Sequence, residues 1–341
     1  MKSLLKKLSE AHGVPGSEGE VRDIMAKELE KYCDIEIDRL GNLIARKEGN
    51  DEKVMLAAHM DEIGLMVKHI DEKGFVRFTT LGGFFDQTIL NQRVLIHTGK
   101  KRIHGVIGSK PPHLMEEKER KKVVEYKDMF IDVGAKDEKA TKKMGIRVGD
   151  YITFDRTFRE LGGDLVTGKA FDDRLGCLAL VEVMKRTDSK CTVYGVGTTQ
   201  EEVGLKGART SAFKIDPDMA IVLDVTAAGD FPGVKVEESP IKLGEGPAIT
   251  IADAKGRGLI THPKVKDLLL KTAEKKKIPY QLEVGEGGTT DASAIHLTRG
   301  GVPSGVVSVP TRYIHSPVEV ANMKDIENMV KLVTLSLGNI S

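Results

Sequence analysis

Short apolar runs separated by helical patterns constrain the fold of this chain more than any other feature. The runs VMLAA (54–58), CTVYGVGTT (191–199), MAIVLDV (219–225) and SGVVSVP (304–310) are typical of strands covered on both faces. Helical patterns separate them, among them DDRLGCLALVEVMKR (172–186) and HPKVKDLLLKTAEKKK (262–277). Strands that alternate with helices in this way predict an α/β sheet layered with helices.

A strand-rich segment interrupts this alternation. Between residues 68 and 162 the sequence shows short strand patterns with turn punctuation, and one short helix is predicted near residues 137–143. This pattern is typical of a small β-barrel or sandwich. We therefore expect a discontinuous α/β domain, residues 1–67 and 163–341, with a β-rich domain inserted at residues 68–162.

Local signals near the N-terminus predict two helices and a hairpin. Residues 1–13 have the pattern of a short amphipathic helix. Ser17 and Glu20 fit a capping box that opens a second helix, which should reach about Cys33. The segment IEIDRLGNLIARK (35–47) predicts a hairpin that turns at Gly41–Asn42.

Composition excludes several classes of protein. The 341 residues carry 52 basic and 51 acidic side chains, and this balance gives no footprint for nucleic acid. The apolar run near Met1 is too short for a signal peptide, and no stretch approaches the roughly 20 apolar residues that span a membrane. We therefore expect a cytoplasmic protein with no nucleic-acid or membrane partner. Its three cysteines, Cys33, Cys177 and Cys191, form no disulfide or CxxC pattern.

Polar side chains with ligand chemistry follow four of the apolar strands, where each strand ends. They are His59 and Asp61, Glu201 and Glu202, Asp224, and His315, and Asp172–Asp173 stand just before a helix. Open α/β sheets bind ligands beyond the carboxyl ends of their strands, so we expect these side chains to meet at one edge. Imidazole and carboxylate without cysteine suit zinc, cobalt or manganese. Two histidines and three or four carboxylates are more ligands than one tetrahedral zinc ion binds. They suit two metal ions that share a bridging carboxylate.

Some of these assignments stay open on spacing alone. A single histidine is more often a satisfied side chain than a ligand, and Asp224 could cap the loop that follows its strand. Asp61 lies two residues after His59, where a carboxylate can hold the ring of a metal-bound histidine. Of Glu201 and Glu202, one can hold a metal while the other faces a reacting water, and the spacing permits either order.

Five motifs resemble the TET-type metalloaminopeptidases, cocatalytic-metal enzymes that assemble into hollow tetrahedral dodecamers. The motifs are AAHMDEIG (57–64), GKAFDDRLG (168–176), TTQEEVGLKGA (198–208), VLDVT (222–226) and RYIHSP (312–317). The resemblance covers nearly the whole chain and includes KPPHL (110–114), LGEGPAI (243–249) and GGTTDA (287–292). It implies a phosphorylase/hydrolase-like α/β/α catalytic domain with an inserted small β-barrel that mediates dimer contacts, and a homododecamer built from such dimers.

The resemblance also implies a ligand set for two divalent metal ions, zinc or cobalt. Asp172 corresponds to the residue that bridges the two metals. One metal would take His59 and Asp224, and the other would take Glu202 and His315. No position in this set departs from the family pattern.

Catalytic roles follow from the same resemblance. Glu201 matches the general base, Asp61 matches the acid that orients His59, and the Asp172–Asp173 peptide is expected to be cis. The implied reaction releases N-terminal residues from peptides with a free N-terminus. A hydroxide that bridges the metals would attack the scissile carbonyl after Glu201 accepts its proton.

Two other functions are compatible with the same residues. The first is a metal-dependent deacylase of small N-acyl substrates, which would act on blocked rather than free N-termini. The second is a non-catalytic assembly scaffold with a vestigial metal site, although the complete ligand set argues against it. The sequence leaves open which N-terminal residue is preferred and which metal is physiological.

Overall fold

The computed structural model of the protein describes residues 1–340. Its strands, in chain order, are β1 (Asp34–Ile37), β2 (Leu43–Lys47), β3 (Asn50–His59), β4 (Gly64–Ile70), β5 (Val76–Leu81), β6 (Arg93–His97), β7 (Arg102–Gly108), β8 (Phe130–Asp132), β9 (Tyr151–Phe154), β10 (Arg159–Glu160), β11 (Leu165–Gly168), β12 (Cys191–Thr198), β13 (Met219–Ala227), β14 (Ala248–Ala252), β15 (Gln281–Val284), β16 (Ser304–Arg312) and β17 (Glu319–Asn322). Its α-helices are α1 (Lys2–Glu10), α2 (Gly19–Leu29), α3 (Asp86–Ile89), α4 (Glu117–Arg120), α5 (Glu138–Lys143), α6 (Phe171–Arg186), α7 (Lys206–Ile215), α8 (Pro263–Lys276), α9 (Ala292–Ile295) and α10 (Met323–Leu337).

One large mixed sheet forms the centre of the molecule. Its strands follow the order β1-β2-β12-β3-β13-β16-β17-β11-β10, and β14 and β15 extend it from β16. The neighbours β12, β3, β13 and β16 run parallel to one another. These four strands are the four apolar runs of the sequence, so the predicted α/β sheet is confirmed.

Helices cover both faces of this sheet. Successive side chains of its central strands point in opposite directions, so each strand contributes apolar side chains to both faces. On β3, Val54, Leu56 and Ala58 join the core beneath α1, α2, α6, α8 and α10. Met55 and Ala57 join a second core beneath α7 and α9. The result is an α/β/α sandwich whose parallel strands are buried over most of their length.

The strands β4 to β9 close into a barrel in the order β4-β5-β8-β7-β6-β9, around an apolar core of its own. The expected boundary between residues 67 and 68 falls inside β4, because Leu65, Val67 and Ile70 all face this barrel core. The short strand β10, which we expected in the insert, pairs with β11 and belongs to the large sheet. The barrel strands therefore run from Gly64 to Phe154.

The predicted capping box at the second helix is wrong. Helix α2 begins at Gly19 after the N-cap residue Glu18, and it ends at Leu29, before Cys33. The Glu20 side chain does not hydrogen-bond to the backbone at the start of α2. Its carboxylate instead accepts a hydrogen bond from the His12 backbone at 3.2 Å and forms an ion pair with Arg102 of the barrel. A tertiary contact thus replaces the local cap. Within residues 1–340, no helix is both long and apolar enough to cross a membrane.

Candidate metal centre

Four parallel strands bring the predicted ligands to the same edge of the large sheet. His59 is the last residue of β3, and Asp224 lies near the end of β13. Glu202 follows the end of β12. His315 follows β16 in the left-handed backbone region, with φ of 59°. The carboxyl edge of the sheet therefore gathers the side chains that the sequence predicted to meet.

The first turn of α6 supplies the aspartate pair. Asp172 and Asp173 depart from helical geometry there, and the peptide between them is cis, as the resemblance implies. Asp173 accepts the backbone N–H of His59 at 3.1 Å and that of Gly176 at 2.9 Å, one on each carboxylate oxygen. Both Asp173 oxygens thus serve the backbone, while Asp172 faces the two histidine rings.

Asp172 lies between the two histidines. Its Oδ1 is 3.0 Å from His59 Nε2, and its Oδ2 is 3.3 Å from His315 Nε2. His315 Nε2 is also 3.4 Å from Glu202 Oε1. Ligand atoms of His59, Asp172 and Glu202 all lie within 4.8 Å of one another, and so do those of His59, Asp173 and Asp224. One carboxylate that faces two imidazoles is the arrangement a bridging ligand requires.

The carboxylate of Asp61 lies closer to the backbone of the glutamate pair than to the His59 ring. Its Oδ1 accepts the backbone N–H of Glu201 at 3.0 Å, and its Oδ2 accepts that of Glu202 at 3.1 Å. The Nδ1 of His59 lies 3.1 Å from the Asp61 carbonyl oxygen and 3.6 Å from its carboxylate. Asp61 therefore fixes the position of both glutamates.

Glu319 is a buried carboxylate that the sequence analysis did not identify. Its Oε2 accepts the backbone N–H groups of Phe171 at 2.5 Å and Asp172 at 3.2 Å. Its Oε1 accepts the backbone N–H of His315 at 3.2 Å. Glu319 thereby connects the backbones of two candidate ligands, Asp172 and His315, through one carboxylate. No local sequence signal marks it, because the contacts to Phe171 and Asp172 span 148 and 147 positions.

The charges of the site fit a cation. Burial, followed by the charge of Asp172, raises the pKa of Glu202 to about 8, and burial raises the pKa of Asp224 to about 7. Burial also raises the pKa of Asp172, but hydrogen bonds from His315 and His59 outweigh it and leave that pKa below its ordinary value. Among residues 1–340, the buried Glu202 Oε1 finds no hydrogen-bond partner. Crowded carboxylates with an unsatisfied oxygen favour a bound positive charge, and histidine with carboxylate suits a divalent metal.

Two glycines of the barrel approach the ligands. A Cβ placed on Gly82 would lie 3.0 Å from Glu202 Oε2, and a Cβ on Gly83 would lie 3.1 Å from His315 Nδ1. Gly82 also has φ of 86°, which side-chain-bearing residues rarely adopt. The loop after β5 therefore passes directly over the metal centre. The Gly-Gly pair was a detectable signal in the sequence, but it carried no information about which distant residues it would meet.

A cavity of about 1120 Å³ opens beside the ligands. His59, Glu201 and His315 line one part of it. Another part is lined by side chains of β13, β14 and β15 and by the glycine-rich segment 285–288. The candidate ligands therefore lie in the wall of a cavity large enough to bind a small molecule.

Comparison with known proteins agrees with this geometry. The M42 glutamyl aminopeptidase family matches residues 41–332, and a second family, AMPT, matches residues 1–25. The lysyl aminopeptidase of Pyrococcus furiosus is 37% identical to this chain over 334 residues, which cover 96% of this chain and 94% of that protein.

Solved structures share the whole fold, including the barrel. The TET aminopeptidase of a marine sediment Thaumarchaeota archaeon superposes with a TM-score of 0.96 at 42% identity, over 100% of this chain and 97% of that one. The TET1 peptidase of Pyrococcus horikoshii superposes with a TM-score of 0.90 at 33% identity, over 99% of each chain. This chain therefore belongs to the M42 family of metal-dependent aminopeptidases.

Proposed function

We propose that the protein holds two divalent metal ions and removes single residues from the N-termini of peptides. The observation that carries this proposal is the position of Asp172, with one carboxylate oxygen facing His59 and the other facing His315. His59 and Asp224 would hold one ion, and Glu202 and His315 the other. Zinc and cobalt both suit this donor set. Bound metal would supply an acidified water and polarise the scissile carbonyl.

We propose different roles for the two adjacent glutamates: Glu202 is a metal ligand, and Glu201 is the general base. Glu202 lies 3.4 Å from His315 Nε2, and its buried Oε1 lacks a hydrogen-bond partner within the described chain, which supports a ligand role. Glu201 has no such contact with either histidine, although it lines the same cavity. Burial raises the pKa of Glu201 well above its usual value, and a raised pKa suits a group that accepts and then donates a proton.

Proton movement then follows from the position of Glu201. Its carboxylate would take a proton from the attacking water and pass that proton to the leaving amine. The hydrogen bond from the Glu201 backbone to Asp61 supports a fixed orientation for this carboxylate. The free α-amino group of the peptide would lie against the buried carboxylates, which limits cleavage to one residue at a time.

The proposed roles of Glu201 and Glu202 can be tested by making the same substitution at each position. In the full-length protein loaded with cobalt or zinc, Glu201→Gln should keep about two metals per subunit while turnover falls at least about a hundredfold. Glu202→Gln and His59→Ala should instead lose metal. Metal analysis and hydrolysis of aminoacyl p-nitroanilides report the two properties. Retained activity in Glu201→Gln would remove Glu201 from the proposed role, and cleavage of acetyl-blocked but not free substrates would favour a deacylase.

The oligomer is a separate part of the proposal. We infer a dodecamer assembled from dimers through the barrel, because the Pyrococcus horikoshii TET1 peptidase, described as forming a tetrahedron or a large octahedral shell, shares the fold over nearly its whole length. Light scattering should give a mass near twelve times the 37.3 kDa of the chain. A monomeric mass at micromolar concentration would contradict this assembly.

A further inference from the structure

The wall of the cavity away from the metal ligands is acidic. Glu237, Glu238, Asp253, Glu283 and Glu286 line it. The single arginine or lysine that lines the cavity in the described chain is Arg209, which is exposed to solvent. A substrate side chain that contacts this wall would therefore lie close to several negatively charged carboxylates.

Glu283 on β15 is the best placed of these acids. Its carboxylate accepts hydrogen bonds from the hydroxyls of Thr226 and, at 3.0 Å, Thr250. Within residues 1–340 it forms no ion pair, so two neutral donors hold the carboxylate without cancelling its charge. The half-buried carboxylate is thus oriented in the cavity wall with its negative charge available to a ligand.

Strand β13 connects the position of Glu283 to that of the candidate metal centre. Thr226, which holds Glu283, lies two residues after the candidate ligand Asp224 on β13, and both residues line the cavity. Residues two apart on a strand point to the same face and are separated by about 6.6 Å. A lysine side chain carries its charge on a flexible four-carbon stem, so an N-terminal residue with its amino group at the metals could reach Glu283.

A second acid points to a cationic ligand independently. Asp253 is 6% exposed, and one of its carboxylate oxygens accepts the backbone N–H of Leu259. The other oxygen, Oδ2, is buried and has no hydrogen-bond partner among the described residues. A buried carboxylate oxygen without a donor is costly, and the charge of a cationic ligand bound in the adjoining cavity would offset this cost.

We propose that Glu283, assisted by Asp253, makes this cavity select peptides whose N-terminal residue is lysine or arginine. The inference rests on the proposed aminopeptidase function, and it concerns only which substrates that activity accepts. The exposed position of Arg209 argues against the opposite preference for acidic residues. Glu283 acts as a specificity residue that contacts the substrate side chain.

The experiment compares two substrates of equal length and different charge. Lysyl and norleucyl p-nitroanilides share the same stem, and only lysine carries the ammonium group. We expect the metal-loaded protein to prefer lysine by at least about tenfold in kcat/KM, because charge-assisted hydrogen bonds in a site built for them discriminate strongly. In Glu283→Gln that ratio should fall about tenfold, and in Asp253→Asn it should fall by a smaller factor.

The matched control is Glu286→Gln, which removes another carboxylate of the same cavity. Its side chain already pairs with Lys255 at 3.3 Å, so the lysine-to-norleucine ratio should change by less than about twofold. Calorimetric binding of free L-lysine and of L-norleucine gives a readout that does not depend on turnover, and lysine should bind more tightly.

The outcomes separate this inference from the proposed function. Efficient cleavage of norleucine or leucine with no preference for lysine would overturn the inference and leave the aminopeptidase function intact. An equal loss of both activities in Glu283→Gln would also overturn it. If no aminoacyl substrate is cleaved by the metal-loaded protein, the proposed function fails first, and the inference fails with it.

Discussion

The carboxylate of Asp61 holds the backbone of Glu201, since its Oδ1 accepts the Glu201 N–H at 3.0 Å. The other oxygen holds Glu202 in the same way. In Asp61→Asn an amide NH₂ would face one of these N–H groups, and a buried N–H without an acceptor costs about 1–3 kcal/mol. We expect kcat to fall at least about tenfold while bound metal decreases less. Steady-state kinetics and metal analysis check this, and unchanged kcat would show that Asp61 does not position the pair.

Substitution of Glu319 should weaken metal binding without removing a ligand. In Glu319→Ala three backbone N–H groups, those of Phe171, Asp172 and His315, lose their acceptor. We expect metal affinity to fall about 10–100-fold, as is common when the partners behind metal ligands are removed. Competition with a chelator measures this affinity. Glu319→Gln keeps one carbonyl oxygen as an acceptor and should show a smaller loss, so equal losses in both variants would contradict this account.

A buried ion pair supports the segment that leads into the metal centre. Lys169 Nζ lies 2.7 Å from both carboxylate oxygens of Glu62, and the two side chains are 2% and 3% exposed. In Lys169→Met the Glu62 carboxylate would keep only Arg174 at 3.5 Å as a charged partner among residues 1–340. We expect the free energy of unfolding to fall by about 3–5 kcal/mol. Denaturant unfolding measures this, and the double variant Lys169→Met with Glu62→Leu should recover part of the loss.

Two neutral histidines should make stability depend on pH. The Thr153 hydroxyl lies 2.8 Å from His12 Nδ1 and 2.8 Å from His97 Nε2, where the barrel meets the N-terminal segment. Burial, and then the charge of Lys169, lowers the pKa of His12 to about 2. Burial, and then the charge of Arg102, lowers the pKa of His97 to about 4.

Because both folded-state pKa values lie below 6.5, the unfolded chain binds more protons than the folded chain at lower pH. Stability from these groups is therefore present above pH 6.5 and is lost as the pH falls, down to about 4 for His97 and about 2 for His12. By pH 5 the loss should be on the order of 2–4 kcal/mol. Unfolding measured from pH 7.5 to 5 checks this. His12→Asn with His97→Gln should flatten the profile, and an unchanged slope would exclude these histidines as its cause.

The apolar runs predicted the central strands because burial on both faces leaves a continuous signature in the sequence. The position of His59 and Asp224 at the ends of such runs then predicted the edge at which candidate ligands gather. The motifs added the roles of Asp172, Glu201 and Glu202, which spacing alone left undecided.

Contacts between distant segments could not be predicted in this way. Glu20 had the spacing of a helix cap, but its carboxylate contacts the His12 backbone and Arg102 of the barrel rather than the start of its own helix. Glu319 and Glu283 carry no motif, because their roles depend on which backbone groups and hydroxyls the fold brings to them. Asp61 is predicted to orient His59, and its contact with that ring runs through its carbonyl oxygen at 3.1 Å. The two backbone hydrogen bonds that its carboxylate accepts from across the sheet edge were not predicted.

The glycine pair after β5 makes the barrel part of the metal centre. A single methyl group on Gly83 would stand 3.1 Å from the ring of His315, and one on Gly82 would stand 3.0 Å from Glu202. A chain from which residues 64–154 had been removed would keep each candidate ligand, but it would lose the Gly82–Gly83 loop that covers them. A substitution that moves the end of β5 toward the candidate metal centre would therefore press on the side chains proposed to hold metal.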